Sequence, residues 1–164
     1  MEETYYPLFS EILERVHKAK TKDKKIDILR QYKTDALKMF LKAGFDPNIQ
    51  WVFPEGNVPY TPNDAPAGTD HTLLIQETKK LWRFIKGADN ITKQAQKENM
   101  FFQMLEGLHE SEAKLLINAK DKKLHQIYKG LSANVVREAF GWNEDFKVDE
   151  YPQSGRSASG LVAG

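Results

Sequence analysis

Between Asp46 and Asp70 the chain carries five of its seven prolines, Pro47, Pro54, Pro59, Pro62 and Pro66. Each fixes φ and removes a backbone donor, so no continuous helix can run through this stretch. On either side, apolar residues recur at helical spacing. Leu8, Phe9, Ile12, Leu13 and Val16 predict a first helix, opened near Pro7 and reaching about Lys18. Thr21 can cap a second, with Ile26, Leu29 and Tyr32 on its apolar face, and a third runs from about Thr34 through Leu37, Phe40 and Leu41 to Gly44. Beyond the prolines, Thr72 can start a helix carrying Leu74, Leu81, Trp82 and Ile85, stopped by Gly87. Asn90 or Thr92 can cap the next, which holds Met100, Phe101, Met104 and Leu105. Another starts near Glu110, a short turn covers Leu124 to Tyr128, and Ser132 caps a last helix with Val135, Val136, Ala139 and Phe140. The expected fold is all-α, one domain of seven to eight helices over residues 1–142 with a long Pro-rich loop. Trp51, Phe53 and Tyr60 predict that this loop packs on the helices. Residues 143–164, acidic and then Gly/Ser/Ala-rich, read as a flexible tail.

Composition narrows the function. A chain of 164 residues, 40% hydrophobic, can form one core without a disulfide or a metal. The absence of cysteine excludes a thiolate nucleophile and every cysteine-based zinc site. With 24 Lys and Arg against 23 Asp and Glu, the net charge of +1 excludes the strongly basic, histone-like class. The opening Met1-Glu2-Glu3-Thr4 lacks the basic start and apolar core of a signal peptide, and no long apolar run follows, so a soluble cytoplasmic protein without membrane contact is expected. No nucleophile elbow, phosphate loop, zinc-protease or EF-hand pattern is present, which predicts neither catalysis nor a cofactor. His109 with Glu110 and Glu112 comes nearest to a metal site, but at a helix junction it reads as a cap.

The charge is unevenly spread. From Glu14 to Lys42, ten cations (Arg15, Lys18, Lys20, Lys22, Lys24, Lys25, Arg30, Lys33, Lys38 and Lys42) face four acids (Glu14, Asp23, Asp27 and Asp35). Lys22, Lys24 and Lys25 crowd the start of the second helix, where the dipole disfavours cations. An approaching anion would make sense of them; a solvated lysine cluster is the alternative. Lys129-Gly130-Leu131-Ser132 before the last helix combines a glycine that permits close approach, a lysine and unpaired helix amides. It is a plausible phosphate site and equally a plain helix connection. Thr21, Lys22, Lys24, Lys25, Lys129, Gly130 and Ser132 are therefore the candidate phosphate-binding residues.

The run Lys97-Glu98-Asn99-Met100-Phe101-Phe102-Gln103-Met104-Leu105-Glu106-Gly107-Leu108-His109, the loop Ile49-Gln50-Trp51 with Pro54, Gly56 and Pro59-Tyr60, and Lys129-Gly130-Leu131-Ser132 up to Glu138-Ala139-Phe140 resemble an uncharacterised family of small proteins from T-even-like tailed phages, many infecting cyanobacteria. More distantly, Ile12-Leu13, Thr21-Lys22-Asp23-Lys24-Lys25, Ile49-Gln50-Trp51 with Pro54, and Gly130-Leu131-Ser132 followed by Val135-Val136 are similar to the N-terminal helical DNA-binding domain of ATP-dependent DNA ligases. That resemblance implies sequence-independent grip on the minor groove and backbone of nicked duplex, and assigns DNA to the candidate phosphate-binding residues. Ligases often place an arginine two residues before the glycine, where this chain has Tyr128. Their adenylated Lys-x-Asp-Gly is absent, since Lys120-Asp121-Lys122 and Lys86-Gly87-Ala88-Asp89 do not match it. The resemblances imply a non-catalytic, phage-encoded accessory protein in the host cytoplasm that binds duplex or nicked DNA in replication, repair or recombination. A protein-interaction or virion component, partnered with phage replication or virion proteins, is the alternative.

Overall fold

The architecture follows from where caps and carbonyl clamps end each helix. In the structure, a computed structural model that describes residues 6–63 and 71–148, eight helices are joined by turns, and no strand is present among the described residues. α1 (Phe9–Lys18) buries Phe9, Ile12, Leu13 and Val16 on one face, and the Leu8 amide donates to the Glu11 carboxylate. α2 (Lys22–Gln31) is capped by Thr21, whose hydroxyl accepts from the Lys24 amide at 3.2 Å. α3 (Asp35–Phe45) is capped the same way by Thr34.

Past the loop, the chain departs from the expected long helix. Thr72 donates its amide to the Gly107 carbonyl at 2.7 Å and so is not a cap. α4 (Leu74–Glu77) is one turn long and tightens into a 3₁₀ segment, Thr78–Phe84, which brings Ile85 into an isolated bridge with Trp51. α5 (Gln94–Gly107) starts after Lys93 with no side-chain cap. Neither Asn90 nor Thr92 caps it; the Thr92 hydroxyl faces Arg83, and Asp89 Oδ1 accepts from the amides of Ile91 and Thr92. α6 (Glu110–Lys120) is capped by His109, and a single turn, α7 (Leu124–Ile127), leads to α8 (Ala133–Phe140), capped by Ser132 and ended by Gly141 in the left-handed region at φ 70°.

α6 buries Ala113, Leu115, Leu116 and Ala119 against α1, α3 and α5, while α2 packs across α8 and α1. The Pro-rich loop is part of this core, as its aromatic content predicts. Trp51 is buried with its indole N–H donating to Ala43 O at 3.0 Å, and Phe53 packs between Phe84 and Phe101. Lys120 and Asp121 clasp the loop further on, with the ammonium donating to Pro54 O and the carboxylate accepting from the Gly56 amide. The core also runs beyond Trp142, where the tail is expected to begin. Phe146 is 1% exposed, Lys42 donates to its carbonyl, and Trp142 bridges Val148. Packing therefore continues to Phe146 within the stretch expected as tail, because one aromatic set among acidic residues returns the chain to the core. The rest of the tail expected to be flexible, residues 149–164, lies outside the described residues.

Candidate nucleic-acid interface

The two basic segments read separately from the sequence meet in space. Lys25 is only 9% exposed, and its ammonium donates to Val16 O and Ala19 O at 2.7 Å, to Lys129 O at 3.2 Å and to His17 O at 3.4 Å. Three of these carbonyls belong to the C-terminal end of α1, which a cation favours; the fourth belongs to the glycine turn. His17 completes the junction, its Nδ1 accepting from the Lys129 amide at 2.8 Å. The ring is thereby assigned as the tautomer with its hydrogen on Nε2.

This geometry corrects the role expected of Lys25. Its charge is taken up by four carbonyls, so it is a bolt between α1, α2 and the turn and not a free phosphate ligand. It also explains Gly130. At φ 79° the position disfavours a side chain, and a Cβ there would lie 2.5 Å from Lys25 Cε and 2.9 Å from its Cδ. The close approach that the glycine permits is therefore to the lysine stem. Thr21 and Ser132 act as helix caps, the latter accepting from the Val135 amide at 3.2 Å. Lys22 pairs with Glu138 at 3.1 Å in an exposed contact of the kind that contributes little.

The same economy recurs across the molecule and depletes the apparent charge excess. Arg30 donates to Glu138 O and Ala139 O at the end of α8, and Lys122 to Ala43 O and Asp46 O at the end of α3. Burial lowers the Lys122 pKa to about 8. Lys42 and Lys97 likewise hold single carbonyls. Exposed around the α1–α2 and α7–α8 turns remain Lys20, Lys24 and Lys129, which have no partner among the described residues, together with Lys22. Lys20 belongs to the basic run but carries no motif that would single it out, and nothing in the sequence around His17 points to its bond across the junction.

The His109 cluster is a cap, with Nδ1 accepting from the Ser111 amide at 3.1 Å. Glu112, 1% exposed, instead accepts from the amides of Phe9 and Leu74, both at 2.9 Å, and so ties the first turns of α1 and α4 to α6. Burial raises its pKa. Among the described residues no group of three or more histidine, aspartate or glutamate side chains could hold a metal, and no helix is long and apolar enough to cross a membrane.

A family of unknown function, DUF6433, matches residues 12–126. The chain belongs to that family. The matched DUF6433 region starts within α1, takes in α2 with its lysines through α6, and ends within α7, before Lys129, Gly130 and Ser132. No curated protein and no solved structure matches the chain.

Proposed function

We propose that this DUF6433 protein is a non-catalytic DNA-binding accessory protein of phage replication, repair or recombination, taking backbone phosphates of duplex or nicked DNA on Lys20, Lys22, Lys24 and Lys129. The observation that carries the reading is the shared bolt: one buried ammonium joins two lysine-bearing turns 104 residues apart in sequence, which holds their exposed cations in a fixed relation. Phosphate contacts position a protein without reading bases, so the reading needs no base-specific side chain. The likeness of Thr21 to Lys25 and of Gly130 to Ser132 to the ligase DNA-binding domain supports the same ligand.

The test is duplex binding against salt. Four phosphate contacts give a slope of log affinity on log salt of about −3 to −4. Lys24→Glu and Lys129→Glu weaken binding with an unchanged melting temperature, because both side chains are exposed. Absence of binding at low salt, or affinity indifferent to salt, points to the protein-interaction reading.

A further inference from the structure

A second basic segment carries Ile91, the most exposed large apolar side chain among the described residues, and Trp82, which is also exposed. Residues 79–97 hold Lys79, Lys80, Arg83, Lys86, Lys93 and Lys97 against one acid, Asp89. That acid is turned inward. Its carboxylate accepts from the amides of Ile91 at 3.0 Å and Thr92 at 3.1 Å and meets Arg83 Nη1 at 3.5 Å, while Lys97 donates to its backbone carbonyl. These bonds brace the turn on which Ile91 stands, 93% exposed. Trp82 is 45% exposed, and the Arg83 guanidinium lies 4.7 Å from its ring centroid while also reaching Thr92 Oγ1 at 3.4 Å. One guanidinium thus couples the indole to the Ile91 turn. Lys79, Lys86 and Lys93 are exposed and have no partner among the described residues.

We infer that this patch binds unpaired nucleic-acid bases: Trp82 is a stacking platform, Ile91 a wedge beside it, and Lys79, Lys86 and Lys93 take the flanking phosphates. The argument is complementarity of charge and shape. A half-exposed indole with a guanidinium over its ring, and lone lysines in the same segment, fits a ligand that is both polyanionic and built of flat apolar rings. An intact duplex presents phosphates but keeps its base faces stacked inside, so the ligand is single-stranded nucleic acid, a frayed end or a flap. The braced turn presents Ile91 already ordered, which lowers the cost of binding. The inference extends the nucleic-acid reading above by naming a different structural class of ligand at a different set of residues.

The experiment titrates the full chain with oligo(dT), with a blunt duplex, with that duplex carrying an oligo(dT) extension, and with inorganic polyphosphate, following intrinsic tryptophan fluorescence and anisotropy of labelled DNA. Trp51 is buried and Trp142 half-buried, so quenching by oligo(dT) that disappears in Trp82→Phe reports contact at Trp82. Trp82→Ala should lose roughly 5- to 150-fold in affinity for oligo(dT) and for the extension, the range expected of one stacked base, with blunt-duplex affinity unchanged. Ile91→Ala should weaken the same two ligands, and its exposure makes it a control that leaves the fold intact. Circular dichroism and melting temperature verify the fold of each variant. Oligo(dT) binding indifferent to both substitutions, polyphosphate binding as tightly as oligo(dT), or no oligo(dT) binding at low salt each overturns the inference. Blunt-duplex binding without oligo(dT) binding leaves the Lys20–Lys129 proposal standing and this one refuted; the reverse outcome refutes that proposal alone.

Discussion

A double-mutant cycle on Lys25 and Gly130 tests whether the junction is held as the geometry requires. Gly130→Ala places a methyl group at φ 79°, where a non-glycine residue costs about 1–2 kcal/mol, and drives it to within 2.5 Å of Lys25 Cε. A flexible lysine could move aside at little cost, but this one donates to four carbonyls, and shifting it lengthens bonds of 2.7 Å to Val16 O and Ala19 O. Overpacking of this kind costs about 1–3 kcal/mol, so Gly130→Ala should destabilise the parent by about 2–5 kcal/mol in all. In a Lys25→Ala background the collision is gone and only the backbone cost of about 1–2 kcal/mol remains. Lys25→Ala itself should cost about 2–4 kcal/mol, since it removes a charged donor from several carbonyls. The expected coupling between the two sites is therefore about 1–3 kcal/mol, with the double variant more stable than the sum of the single changes. Urea unfolding followed by far-ultraviolet circular dichroism measures it, and melting temperatures should follow at about 2–4 °C per kcal/mol. If Gly130→Ala costs the same in both backgrounds, within about 0.5 kcal/mol, the lysine stem does not fill the space over the glycine and the account of the junction is wrong.

Glu112→Ala should destabilise the protein by about 2–5 kcal/mol, because two buried amides lose their acceptor, and hydrogen exchange should accelerate first at Phe9 and Leu74; unchanged exchange there would refute the clamp. Hydrogen bonds from Thr92 and Ile91 lower the Asp89 pKa from 3.8 to about 2. A carboxylate with a lowered folded pKa stabilises the fold above its unfolded value and loses that contribution as pH falls, so the urea midpoint should drop between about pH 4 and 2 and Asp89→Asn should flatten that part of the profile. A profile identical in the two proteins would exclude the bonded turn. Phe146→Ala should cost about 3–5 kcal/mol as a buried aromatic, whereas a residue in a flexible tail would cost nothing measurable.

Much of this fold is readable from local chemistry. Thr21, Thr34 and Ser132 each sit before an apolar helical repeat and each caps it, since capping needs only a side-chain oxygen and an amide three residues on. The packed aromatics of the Pro-rich loop are legible for the same reason, as Trp51 and Phe53 have no other way to leave water. The lysines are different. Lys24 and Lys25 are adjacent and chemically identical, yet one remains exposed and the other bolts α1 to a turn 104 residues away. Nothing local separates them, because a carbonyl acceptor is present in every residue and only the packing of α2 against α1 and α8 decides which ammonium reaches one. The glycine at 130 shows the same division. Its position before a capped helix marks a turn in the sequence, while the collision that adds to the backbone cost of an alanine there is with a lysine stem brought by tertiary structure. Caps and apolar periodicity are interactions within a few residues and are written in the chain itself; the capture of Lys25, Lys42 and Lys122 by backbone carbonyls reaches between segments far apart in sequence, so it is settled only when the helices have packed.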